Sequence, residues 1–432
     1  MPGNRSGPRI SPARRLSNSP SVIVLARILS AFLSLLSAPI VARALGPEGR
    51  GETAAALAVT GLAPLLVGWG VPLVVRRLSV DRSRISPAIR GVRIVALWAL
   101  LPSAVIAGGC RYLLLPTVDN ATGIVFIVAV ASAPLSVVWI CTANVLVAQR
   151  RHGAFALINL LPAAISVGAL IVGWQWGWIT VGYVLLANLF GNVGTFVTVL
   201  FLVPVTVRGP RVRARSLLRD GMSFGGSQVA EAASYRLDQA IALPLMGGAQ
   251  AGLYSVAATV ALLPYAVGQA VGTAIFGNIA EDVTAEVRQE RIAQAVRAAL
   301  LIAGLTAVVL AIVTPFAVPL VFGRNFAGAV GPTIVGLIGS IAVVLSYVAS
   351  SALVALGRGS AILFAQLLGL AIGICALAIL GTLWGALGAS IASSMGFWSC
   401  ALYAIVSLRL PVALLVPRRS DFYSAARMLL RG

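Results

Sequence analysis

The sequence predicts an all-α polytopic membrane protein with about twelve transmembrane helices, arranged as two six-helix bundles that are parallel repeats of each other. Three observations carry that prediction. Of 432 residues, 59% are hydrophobic and only 10% charged, and the mean hydropathy is +0.97, far above that of water-soluble domains. Apolar segments long enough to cross a hydrocarbon layer of about 30 Å as helix recur twelve times between short polar breaks. Finally, the second half of the chain repeats features of the first at an offset near 200 residues. The ten-residue alternation of a membrane β-barrel is absent.

The elements follow in order. Residues 1–19 are rich in Arg, Ser, Pro and Gly and read as a disordered basic tail. The first span, 21–45, ends in an ARA triplet that resembles a signal-peptide cleavage site, but the eleven spans behind it make it an uncleaved anchor. Spans at 53–75, 92–114, 123–147, 154–174 and 179–203 complete a first bundle, residues 20–203. The stretch PVTVRGPRVRARSLLRDG, within 204–221, is a basic linker. Spans at 222–246, 252–276, 298–321, 329–350, 360–380 and 385–408 build a second bundle, residues 222–410. A charged helical surface connector is placed at 279–297, and 411–432 is a C-terminal tail. The loops at the end of the spans opposite the linker are short, the longest being about 111–122, which leaves no extramembrane domain there for a catalytic site.

All 32 basic residues are arginine, giving a net charge of +20. With both termini on the cytoplasmic side, only Arg43, Arg50, Arg111 and Arg324 fall at or near the outer side and only Arg27 and Arg236 within spans. That asymmetry is the positive-inside rule. It makes anionic membrane lipids the partners of the basic loops and removes nucleic acid as the explanation of the charge; absence of lysine suggests a high-GC bacterial genome. Cys110, Cys141, Cys375 and Cys400 are scattered singly and read as packing residues. His152 reads as a solvated loop residue, and no metal or cofactor is indicated.

At an offset of 201, LGPEGRGETAAALAV (45–59) lies over MGGAQAGLYSVAATV (246–260), pairing Gly46 with Gly247 and Gly51 with Gly252. At 208, VLVAQR (145–150) lies over LVALGR (353–358). Six spans per half give both halves one orientation, so their axis lies along the membrane normal and a cavity is expected between them. The chain places Glu231, Arg236 and Asp238 inside an apolar run, EAASYRLDQAIALPLM (231–246), although a charge at the bilayer centre costs about 2.5–3.5 kcal/mol. On an ideal helix Gln228, Glu231, Tyr235, Asp238 and Gln239 share one side, with Arg236 pointing away. The 201 offset maps the first four of the stripe onto Arg27, Ser30, Ser34 and Ser37, also a polar face. The two faces are expected to line a water-filled space between the repeats. Asn144, Gln149, Asn159, Asn188, Asn192 and Gln269 read as helix-to-helix hydrogen-bonding groups, and Trp174, Trp176 and Trp178 as an interfacial belt.

Three stretches in this order and spacing, LSAPIVARALGPEGRGETAAALAVTGLAPLLVGWGVPLVVRRLS, YRLDQAIALPLMGGAQAGLYSVAATVALLPYAVGQAV and VFGRNFAGAVGPTIVGLIGSIAVVLSYVASSALVALGRGSA, resemble the polysaccharide-biosynthesis flippases of the multidrug/oligosaccharidyl-lipid/polysaccharide (MOP) exporter superfamily, over about residues 21–410. The resemblance implies a MATE-like pair of bundles in the cytoplasmic membrane. It also implies movement of an undecaprenyl-pyrophosphate-linked oligosaccharide by alternating access coupled to H⁺ or Na⁺, without enzymatic chemistry. Polysaccharide-assembly proteins would be its partners. Arg236 and Asp238 match the family's R-x-D position ahead of the G-rich turn and G-L-Y. The implied roles are pyrophosphate binding for Arg27 and Arg236, and ion coupling and cavity lining for Glu231, Asp238, Gln228, Tyr235, Gln239, Ser30, Ser34 and Ser37. The alternatives are a lipid II flippase, a cation-coupled multidrug exporter and, of another class, a glycan polymerase or ligase or an assembly scaffold. A polymerase needs a long outer loop that this chain lacks; a scaffold needs no mid-membrane charge.

Overall fold

The computed structural model describes residues 20–116, 118–265 and 284–411. Among them there is no strand. Thirteen α-helices follow one another: α1 Pro20–Gly68, α2 Val71–Leu78, α3 Ile85–Leu114, α4 Asn120–Ala131, α5 Ala133–Ala148, α6 His152–Trp176, α7 Val181–Leu202, α8 Ala214–Ser234, α9 Leu237–Ala261, α10 Ala285–Phe322, α11 Val330–Ala355, α12 Gly359–Ala376 and α13 Thr382–Ser407. Nine helical segments among the described residues are long and apolar enough to cross a membrane. The number is below twelve because several expected spans run on through a kink or join at a single turn. The segment Phe32–Gly68 carries the first two spans, and Gly359–Ser407 carries the last two through a π-turn at Leu377–Gly381. The second half of the span expected at 252–276, the tails 1–19 and 412–432, and Gln269 lie outside the described residues.

Glycine explains how two spans share one helix. In α1 the backbone leaves helical geometry at Gly46 (φ 67°, ψ −173°), and in α9 it does so at Gly247 (φ 78°, ψ 165°). Both conformations belong to glycine alone, and Pro47 further disfavours helix at the residue before it. The 201 offset thus joins positions with the same backbone conformation. The other register shifts by one. Arg150 (φ 57°) and Gly357 (φ 71°) close the equivalent turns, with Arg151 N donating to Leu146 O and Arg358 N to Leu353 O, both at 2.9 Å. The turns are therefore 207 residues apart, not 208. The sequence match pairs Arg150 with Arg358 by identity, whereas the turn geometry pairs it with Gly357.

The halves meet across a seam formed by α1 and α9. A Cβ placed on Gly51 would collide with Gly248 O, and one on Gly252 with Pro47 O. These two contacts exchange under the 201 offset, as a pseudo-twofold interface requires. Arg43 spans the same end, its Nε donating to Val321 O at 2.9 Å and its Nη2 donating to Leu320 O in α10. At the opposite, arginine-rich end, a Cβ on Gly70 would collide with Gly221 O, so α8 closes against the start of α2. Among the described residues the bundles touch at both ends.

The linker is anchored by Arg90, which donates to Thr206 O at 2.9 Å, Thr206 Oγ1 at 2.8 Å and Pro210 O at 2.9 Å. Its last residues, from Ala214, are already α8. The connector expected on the surface at 279–297 is instead, from Ala285, the first part of the 38-residue α10. Its apolar face and Arg297 are buried, and Arg297 pairs with Glu290 at 3.2 Å. A charged, amphipathic start reads as solvated because sequence does not show what covers it. His152 is half-buried as the first residue of α6, with Nδ1 unpartnered, rather than solvated. Outside the spans, Asp119 caps α4 by accepting from Thr122 N at 3.0 Å, and that bond holds its carboxyl below the usual carboxylate range.

Candidate functional site

The run of charges that stands out in the sequence falls on a break between helices. α8 ends at Ser234, Tyr235 and Arg236 form a turn, and α9 begins at Leu237. The break sits about 16 Å along the helix from the Gly247 kink. Although the helix breaks at Tyr235–Arg236, Tyr235, Asp238 and Gln239 still share one side, as the ideal wheel expects, and Arg236 points away; what differs is the space that side faces, which lies within the second bundle.

On one side of the break the side chains turn into the second bundle. Asp238 Oδ2 accepts from Tyr254 Oη and, at 2.9 Å, from Ser393 Oγ, while Oδ1 accepts from Gln239 N at 2.7 Å. Tyr254 Oη and Ser393 Oγ lie 2.6 Å apart. This knot joins both segments of α9 to α13, and Tyr254 is only 2% exposed. Tyr235 packs between Tyr265 and Phe397, with ring centroids 5.4 and 5.8 Å away. Two small adjoining cavities share Asp238 and Tyr235 as walls; Ser234 and Gln366 face the first, Gln239 and Ser390 the second. Ser234 Oγ reaches Gln366 Oε1 at 3.3 Å. Asp238 thus belongs to a chamber inside one bundle and not to the space between bundles.

Arg236 goes the other way. It is exposed, and its Nη1 stands where a Cβ on Gly61 would be. Gly61 belongs to α1, in the opposite bundle, so the guanidinium faces the seam. Among the described residues the side chains of Arg236 and Glu231 form no ion pair or hydrogen bond; Glu231 and Gln228 are half-buried on α8.

The first-bundle face is less uniform than expected. Ser30 Oγ donates to Asn159 O at 3.4 Å, so it ties α1 to α6. Ser37 Oγ donates to Ser34 O at 2.7 Å, and Ser34 is exposed. The side chain of Arg27 lies outside the described residues. Asn144, Asn159 and Asn192 each bond the carbonyl four residues back at 2.9–3.0 Å, and Ser136 Oγ donates to Asn192 at 3.2 Å, which gives them structural roles. Among the described residues there is no cluster of three or more His, Cys, Asp or Glu that would hold a metal ion.

Sequence reasoning does not single out Tyr254, Ser393, Ser390 or Gln366. Tyr254 has a signal, since it is the tyrosine of the quoted G-L-Y. The serines and Gln366 look like ordinary small or polar members of apolar helices until α12 and α13 are brought against α8 and α9.

Two bundles thus meet on a pseudo-twofold seam, with a polar break between α8 and α9 beside it. A family model described as "Polysaccharide biosynthesis protein" matches residues 17–281, more than half of the chain. The chain belongs to the polysaccharide biosynthesis protein family. Among solved structures it is similar to a lipid II flippase MurJ in an inward closed conformation, at TM-score 0.75 and 14% identity over 95% of this chain and 91% of that one. It is also similar to an inward-facing multidrug resistance MATE family transporter of the MOP superfamily, at 0.65 and 17% over 91% and 98%. A third, the MATE multidrug transporter DinF-BH, gives 0.63 and 14% over 93% and 96%. Among curated proteins, none matches by sequence.

Proposed function

We propose that the chain moves a lipid-linked oligosaccharide with a diphosphate headgroup across the cytoplasmic membrane by ion-coupled alternating access. The observation that carries this reading is Arg236, a guanidinium in the turn between α8 and α9 that faces the seam without a counter-charge among the described residues. Arginine's planar fork suits bidentate bonds to phosphate oxygens. An uncompensated cation there also disfavours a cationic drug as cargo, so of the two exporter readings the anionic glycan lipid is the better supported. The lipid II reading differs only in the glycan.

Coupling is assigned to Asp238, with Glu231 beside the same break. The hydroxyls of Tyr254 and Ser393 and the Asp238 carboxylate give a set of hard oxygens suited to a proton or Na⁺. Asp238 and Arg236 flank one turn, so any change in the hydrogen bonds of the acid turns the segment that aims the arginine. Binding in the chamber and anion binding in the seam are thereby linked through two residues of backbone.

The test is export of surface glycan in cells carrying Arg236→Ala or Asp238→Asn. Each variant accumulates normally in the membrane and loses export. Wild-type levels of surface glycan in both variants would remove the role given to the break.

A further inference from the structure

A second arginine in the seam is not accounted for by the break. Arg50, in the first turn after the Gly46 kink, is only 9% exposed. Its Nη2 donates across the seam to Thr259 Oγ1 on α9 at a long 3.4 Å, and its Nε is buried with no partner. Thr259 Oγ1 already donates to Ser255 O at 2.7 Å. No carboxylate pairs with Arg50 among the described residues. Beside it Gly51 lets the backbones of α1 and α9 approach closely, so the side chain lies within the seam. A buried guanidinium with one weak neutral acceptor is a cation whose hydration has not been replaced.

Its depth matches that of Arg236. Thr259 is twelve residues beyond Gly247, and Gly61, which Arg236 touches, is fifteen beyond the equivalent Gly46. The residues that the two guanidinium groups reach are therefore about one helical turn, ~5 Å, apart in depth along their helices.

We propose that Arg50 and Thr259 form an anion site on the seam that takes phosphate-ester oxyanions, acting with Arg236 as the second cationic contact for a diphosphate group. This rests on the transport reading and deepens it by naming where the headgroup is held. With the seam closed the site is shut and Thr259 is the stand-in acceptor. An entering phosphate supplies the two or three strong acceptors that Arg50 lacks, so anion binding and parting of α1 from α9 favour each other.

The experiment uses the full chain in nanodiscs of uncharged lipid, titrated with inorganic pyrophosphate, a polyprenyl diphosphate or, in place of either, phosphatidylglycerol in the disc. Arg50→Gln weakens diphosphate binding by about tenfold or more, the loss of a charge-assisted bond. Arg50→Lys is intermediate. Because Arg50→Gln also alters a contact of the seam itself, modification of Arg50 by phenylglyoxal in the wild-type chain is followed in parallel, and pyrophosphate slows it. Wild-type affinity in Arg50→Gln with loss in Arg236→Ala overturns the Arg50 site and leaves the transport reading standing. Protection by phosphatidylglycerol alone assigns the site to a membrane lipid and overturns the diphosphate proposal. No binding of either diphosphate by the wild type overturns both.

Discussion

Asp238 is legible in the sequence because an acid amid apolar residues is costly and invites a reason. Its partners are not legible, since Tyr254 is one kink away and Ser393 lies on the last helix. The hydroxyl pair makes a definite prediction. Tyr254→Phe removes one hydrogen bond to a charged acceptor and lowers stability by about 1.5–3 kcal/mol, read as a fall in the thermal midpoint of the purified protein. Ser393→Ala has a smaller effect, because Tyr254 remains on the same carboxylate oxygen. A midpoint unchanged in Tyr254→Phe would mean that the knot does not hold in the membrane. Arg50 is legible as a residue but not as a buried one. A position beside an expected outer turn reads as solvated, and only the reciprocal approach of Gly51 and Gly252 reveals that another helix covers it. The glycine spacing is the available signal.

Glycine also decides how the helices meet. Gly46 and Gly247 each hold a conformation that costs an alanine on the order of 1–3 kcal/mol, and Gly252 lets α9 rest on Pro47 O. Gly252→Val forces α1 and α9 apart at that end. Ser255, 1% exposed and one turn further on, is the reporter: a Ser255→Cys thiol is unreactive to a water-soluble maleimide in the wild-type background and reactive with Gly252→Val. Unchanged protection would contradict the seam packing. Helix existence and the short connections are readable from segment length and polar breaks. The rotation of α8 relative to α9 is not, because the interruption at Tyr235–Arg236 has no proline or glycine to announce it. A helical wheel groups Asp238 with Tyr235 and Gln239 and turns Arg236 away, as found, but the repeat alignment that points this face between the bundles does not hold: it faces α13.

For the molecule as a whole, the repeat is the most informative feature of the sequence. It fixes which kinks correspond, and the matched backbone at Gly46 and Gly247 follows from it. The asymmetric arginines carry the orientation proposed from the positive-inside rule, which would put the linker and both termini on the cytoplasmic side. In that proposed frame the Gly51 end of the seam faces outward and the Gly70 end inward, and both are closed in this structure, with Arg236 between them. The most direct measurement is movement of a polyprenyl-diphosphate-linked oligosaccharide between leaflets in proteoliposomes under an imposed proton or sodium gradient. The wild-type chain moves the lipid and responds to one gradient, and Arg236→Ala, inserted in equal amount, moves none above protein-free vesicles. Equal movement by Arg236→Ala and wild type would contradict an anion path through the seam.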